Sequence, residues 1–111
     1  MFIRIFIRTI VYDKASLIAK EIVSNIPKEF IKNSSVKIEP YWKYDDTLVA
    51  EVKLELLKEF GYEVKEKFLN SISDNWIFLG TDNSKAIASK TMEGGSTINY
   101  DIDMISIHFS E

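Results

Sequence analysis

Apolar and polar residues alternate with period two along several stretches of the chain and recur at helical spacing in others, and this pattern predicts most of its elements. In residues 2–12, Ile3, Ile5, Ile7 and Val11 share one face, while Phe2, Arg4, Phe6 and Arg8 share the other. β-Branched residues dominate, as in a strand with one buried face. Asp13 follows as a candidate N-cap for a helix carrying Ala15, Ile18, Ala19, Ile22, Val23 and Ile26. Pro27 cannot continue that helix and suits the first position of a short extra turn through Phe30 and Ile31, with Asn33, Ser34 and Ser35 ending the unit.

Residues 36–56 read as a hairpin matched on both faces. With Tyr44 opposite Leu48, Val36 meets Leu56, Ile38 meets Leu54, Pro40 meets Val52 and Trp42 meets Ala50 on one side. On the other side Lys37 meets Glu55, Glu39 meets Lys53 and Tyr41 meets Glu51. A single register serves both faces because facing side chains alternate with period two. The turn at 45–47 lacks the glycine that a three-residue loop favours. Segment 46–60 has a rival reading as a helix capped by Asp46, with Leu48, Val52, Leu56 and Phe60 at four-residue spacing and Gly61 as its stop. That helix encloses Lys53 within its apolar arc, whereas a strand puts 48, 50, 52, 54 and 56 on one face. The strand is preferred.

Phe60, Val64, Phe68 and Ile72 mark a second amphipathic helix, 76–79 a short apolar strand, and 85–92 a further strand. Glu93-Gly94-Gly95-Ser96 reads as a tight hairpin turn. It sets Ile87 opposite Ile102, Ser89 opposite Tyr100 and Thr91 opposite Ile98, with Asp101 and Asp103 on the face of Ala86 and Ala88. Apolar positions in the last strand switch from even (Ile98, Tyr100, Ile102, Met104) to odd (Ile105, Ile107, Phe109), so a β-bulge is expected near Met104 and Ile105, the alternative being burial on both faces there. The order strand, helix, strand, strand, helix, strand is that of a ferredoxin-like βαββαβ sandwich. Here it carries an appended C-terminal β-hairpin, and both helices cover one face of a mostly antiparallel sheet. Pro40 cannot donate a ladder hydrogen bond and fits the edge position that this topology gives its second strand. Residues 1–111 form a single α+β domain.

Composition narrows the chemistry more than it names it. A net charge of −3 opposes general attraction to nucleic acid or anionic membranes, and the absence of cysteine excludes disulfides and thiolate metal sites. The absence of cysteine also fits a reducing cytoplasm. Arg4 and Arg8 interrupt the apolar N-terminus as no signal-peptide core would, and no apolar run reaches the length of a membrane span. The lone histidine, His108, has no partner by spacing for acid–base or triad chemistry. Asp101 and Asp103 form a two-carboxylate pair on one strand face, too few ligands for a cation site and better read as polar surface. No catalytic residue, metal site or cofactor is expected. An RNA-binding sheet needs aromatics and positive charge on its third strand, where this chain offers Glu51, Lys53 and Glu55.

The outer sheet face remains. There Phe2, Phe6 and Tyr41 lie among arginines, lysines and glutamates, the mixture that protein interfaces use for anchors and rims; the alternative is that a loop or the C-terminal hairpin covers Phe2 and Phe6. An acidic single-domain chain without cysteine or a catalytic cluster, rich in Lys, Ile and Asn as AT-rich bacterial genomes dictate, resembles the immunity proteins of bacterial toxin systems, including those of contact-dependent growth inhibition. The resemblance is one of general character and rests on no shared motif. It implies a non-catalytic protein that neutralises a toxin, often a basic nuclease, by direct and electrostatically steered binding. Asp45, Asp46, Asp101 and Asp103 are then the expected partner contacts, with Tyr41 as aromatic anchor. The alternative is a small-ligand-sensing or regulatory ferredoxin-like domain that forms a homodimer through its sheet.

Overall fold

A computed structural model describes residues 1–90 and 101–109, which form an antiparallel six-stranded sheet and two helices. β1 (Phe2–Ile7) lies inside the sheet, antiparallel to β3 (Leu48–Leu56) on one side and β6 (Ile102–His108) on the other. Its Ile3, Ile5 and Ile7 are fully buried. They face Val52, Ala50 and Leu48 of β3 and Ile107, Ile105 and Ile102 of β6. α1 (Tyr12–Ser24) lays Ala15, Ile18, Ala19 and Ile22 on that surface, and α2 (Tyr62–Asn70) adds Phe68 and Leu69 to the same core. One face of the sheet is thus covered by helices, as an amphipathic helix and a half-apolar sheet require.

α1 starts slightly earlier than expected. Val11 is its N-cap residue, with its N–H bonded to Thr9 Oγ1 at 3.1 Å, and Asp13 sits in the first turn, where a carboxylate opposes the positive end of the helix dipole. Pro27 precedes a 3-10 turn, Lys28–Phe30, that carries Phe30 into the core.

Segment 46–60 is a strand through Leu56, and β2 (Ile31–Pro40) is its edge-strand partner. Two features of this pair differ from the sequence expectation. β2 begins at Ile31, so Asn33, Ser34 and Ser35 lie within the strand, just after a register irregularity. The register is also displaced: Val36 faces Val52 rather than Leu56, Ile38 faces Ala50, Pro40 faces Leu48 and Lys37 faces Glu51. The chain reverses through 41–47, not through a turn at 45–47. Faces are preserved because the displacement is an even number of residues. Pro40 ends the strand, and from Tyr41 onward the chain leaves the sheet instead of extending it. Charge matching survives in altered form. Glu55 accepts from Asn33 Nδ2 at 3.0 Å and lies 3.4 Å from Lys32 Nζ, contacts that hold its carboxyl below the usual range.

The strand order is β2-β3-β1-β6-β5-β4, with β4 (Ile77–Leu79) and β5 (Lys85–Ser89). This departs from a simple βαββαβ unit. The strand directly after α2 goes to the far edge, and the place beside β1 falls to β6. The physical reason is burial: β6 offers Ile102, Ile105 and Ile107 to the core, while every side chain of the short β4 remains partly exposed. The β5–β6 register is likewise displaced, so Ile87 faces Ser106 and Ser89 faces Met104. Ala86 and Ala88 are buried on the helix face opposite Ile107 and Ile105, whereas Asp103 turns to the outer face beside Arg8. The pair of Thr91 with Ile98 and the turn at 94–95 lie outside the described residues. The bulge occurs where the phase change requires it. β6 inserts Asp103 between the residues facing Phe6 and Ile7, so Ile102 joins Ile105 and Ile107 in the core.

Because the chain lacks cysteine, its register can be read chemically. Val36→Cys with Val52→Cys should oxidise to a disulfide, as judged by mobility before and after reduction. Val36→Cys with Leu56→Cys, about 13 Å out of register, should not. Ile5→Ala, at the centre of the core, should lower unfolding free energy in urea by about 2–5 kcal/mol.

Candidate functional site

The site is built on the loop 41–47. After Pro40 the chain folds back over the outer face of the sheet and sets the ring of Tyr41 edge-on to Phe6, with centroids 5.0 Å apart. Phe6 and its cross-strand partner Val49 are buried beneath, as is Thr47. Backbone bonds from Tyr41 N–H to Thr47 O (2.9 Å) and from Thr47 N–H to Tyr44 O (3.4 Å) close the loop, and Thr47 Oγ1 donates to Asp46 at 3.1 Å. A small apolar cluster on the outer face therefore fixes the loop, with Arg4 lying 5.6 Å over the Phe6 ring.

Above this anchor the side chains point outward. Trp42 is 86% exposed, touching Tyr41 with centroids 5.8 Å apart. Tyr44 is also exposed, 5.8 Å from Tyr41 on its other side, with the Lys43 ammonium 5.5 Å from its ring. An indole in water on a tethered loop is unusual, since tryptophan is among the most buried side chains on average. The chain leaving β1 adds to this end of the sheet. Ile10, Val11 and Tyr12 are all exposed, and β1 ends opposite the start of β3, where the loop returns.

Beside the loop runs a groove of about 550 Å³ whose walls include Phe6, Arg8, Tyr44, Asp46, Lys90 and Asp103. Arg8 grips Asp103 with two hydrogen bonds, 2.9 Å from Nη2 and 3.3 Å from Nε, and Lys90 Nζ lies 3.8 Å from the same carboxylate. Asp101 pairs with Lys14 at 3.0 Å, and its carbonyl accepts from Arg8 N–H at 2.7 Å. The two carboxylates thus meet different cations and do not act as a pair. Among the described residues, no three His, Asp or Glu side chains gather as metal ligands would.

No family model, no curated protein and no solved structure matches the chain.

Of the expected contact residues, Tyr41, Asp46 and Asp103 come together around the groove, and Asp45 stands next to them on the loop. Asp101 sits apart with Lys14. Asp45 and Asp46 form no ion pair among the described residues, whereas the charges of Asp101 and Asp103 are matched within the chain. Tyr41 is half-buried and braces the loop. Trp42, which the sequence pattern placed on the core face opposite Ala50, is the projecting residue. The signal for it was the run Tyr41-Trp42-Lys43-Tyr44 directly behind a proline. Phe6 is covered by the loop and does not reach solvent as an anchor; Phe2 is partly buried, 6.2 Å from the His108 ring.

His108 lies at the opposite end of β1, away from the groove. Burial, and then the charge of Lys85 facing it across β5 and β6, hold its pKa below the ordinary 6.5. The folded state therefore favours the neutral ring. Its contribution to stability is complete above about pH 6.5 and is lost as pH falls through the lowered midpoint. An NMR titration should place the His108 midpoint below 6.5, and Lys85→Ala should raise it. For the loop, Tyr41→Ala should cost about 1–3 kcal/mol in urea unfolding, by loss of the Phe6 contact, while Trp42→Ala should change stability by no more than about 0.5 kcal/mol.

Proposed function

We propose that this chain is a non-catalytic binding protein that recognises another protein with the loop 41–47 and the groove beside it, and that it serves as an immunity protein neutralising a basic toxin domain. The observation that carries the reading is the exposed Trp42 held on a tethered loop. Tryptophan and tyrosine dominate interface hot spots because they bury large area at little entropic cost. A loop already fixed by Tyr41 and Phe6 loses little freedom when it binds, which favours affinity. Asp45 and Asp46, in no ion pair among the described residues, supply the negative field that speeds encounter with a basic surface. Tyr44 and Arg8 complete a rim in which aromatic and charged groups alternate, and Asp103 holds Arg8 in place.

The fold reading that accompanies this proposal takes β2, β3, β1 and β6 with the two helices as a ferredoxin-like unit. In it β6 stands where the strand after α2 would stand, and β4 with β5 forms an insertion. The sheet-dimer alternative is less well supported, because Phe6, a large apolar side chain of the outer face, is already covered.

The test is co-expression with the C-terminal domain of the protein encoded immediately upstream. That domain alone should arrest growth, and this chain should restore growth and co-elute with it as a stable complex. Trp42→Ala should weaken the complex by about thirtyfold or more, a hot-spot loss. Asp45→Lys with Asp46→Lys should act mainly on the association rate. An upstream gene without a growth-arresting domain, or a complex indifferent to Trp42, would overturn the proposal.

A further inference from the structure

The two edges of the sheet are built differently. The β2 edge is long and carries Lys32, Lys37, Glu39 and Pro40, the charges and proline that keep an open edge from pairing. The β4 edge has neither. Its residues Ile77, Phe78 and Leu79 are 47%, 42% and 44% exposed, and among the described residues no strand lies against its outer side.

The two faces of that edge also differ. Phe78 is opposite Ala86, a core residue, so it lies on the helix face; Ile77 and Leu79 lie on the outer face opposite Ile87 and Lys85. Phe78 borders a groove of about 580 Å³ between β4 and α2, whose walls also include Tyr62, Glu66, Asp74, Trp76 and Asp82. Trp76 is fixed there by its indole N–H, 3.0 Å from the carbonyls of both Leu69 and Ser73. Lys65, the basic side chain among the groove's lining residues, is held at its wall, donating to Asn83 O at 3.0 Å and lying 4.4 Å over the Phe109 ring. With Glu66, Asp74 and Asp82 set against Lys65, the groove on the helix face beside β4 carries an excess of acid among aromatic rings, and the outer face is apolar with Lys85 at its margin.

We infer that β4 accepts an extended segment of a partner protein as a seventh strand, with the pattern apolar, basic, apolar. Strand periodicity dictates that pattern. The basic side chain enters the groove among Glu66, Asp82 and the rings of Tyr62 and Trp76, where both charge and cation–π attraction favour it. Its apolar neighbours lie over Ile77 and Leu79, where Lys85 repels a cation. A second copy of this chain fits less well. Antiparallel pairing of two β4 strands around Phe78 sets two acidic grooves side by side. The site is independent of the loop 41–47, which lies at the β2 flank of the sheet.

The probe is a capped peptide, Ser-Thr-Val-Arg-Val-Thr-Ser, with a Glu-for-Arg control, each titrated by calorimetry into the full chain. Saturable binding of the Arg peptide is expected, with the control weaker by about tenfold or more. Slowed amide exchange at residues 77–79 on adding the Arg peptide is the backbone signature of an added strand. Glu66→Gln with Asp82→Asn should bring the two peptides within about threefold of each other. Trp42→Ala should leave Arg-peptide binding unchanged. No saturable binding, equal binding of both peptides to the unmodified chain, or a homodimer that blocks 77–79 would overturn the inference.

Discussion

β1 is bordered on both edges by strands that meet it with branched aliphatic side chains, and this double pairing orients everything else. With Ile3, Ile5 and Ile7 on the helix face, each worth roughly 1.5–3 kcal/mol of burial, the alternation forces Arg4 and Phe6 onto the other face. A phenylalanine on a face without helices needs a cover. The loop 41–47 provides it, at the end of the sheet where β1 finishes and β3 begins. The same strand therefore organises the main core and, through one side chain of opposite parity, the surface that projects Trp42.

Most elements were legible from the pattern of apolar positions, and the failures share a physical cause. Alternation tells which face a side chain occupies but not which residue it meets, because any even displacement of register leaves the faces intact. The β2–β3 pairing illustrates this. Val36 and Val52 satisfy the apolar face as well as Val36 and Leu56, and Lys37 finds a glutamate in either arrangement, at 51 or at 55. What decides is the length of the connection, and neither Pro40 nor the Asp45-Asp46 pair specifies that locally. The β5–β6 pair slipped in the same way. The phase change near Met104, by contrast, was readable, since no register can bury both Ile102 and Ile105 on one face without an inserted residue.

Sheet order was the least readable feature. The short apolar run 76–79 is the strand that a βαββαβ order sets beside β1, yet β6 displaces it from there by presenting a longer branched surface. Such competition between distant segments leaves no trace in local sequence. The candidate site was half readable for a related reason. Carboxylates at 45, 46, 101 and 103 were visible, but their neighbours were not. Arg8 and Lys90 match Asp103, and Lys14 matches Asp101, leaving Asp45 and Asp46 as acids without an ion pair among the described residues at this end of the sheet.

The way the loop is fastened has a consequence for how such a molecule can diversify. Tyr41 and Thr47 hold both ends of it through Phe6, Val49 and the backbone, whereas the side chains of Trp42, Lys43 and Asp45 contribute nothing to the sheet. Exposure and folding are thus assigned to separate residues. Substitution at the outward positions therefore leaves the scaffold intact, so the exposed face of the loop is free to vary without loss of the fold.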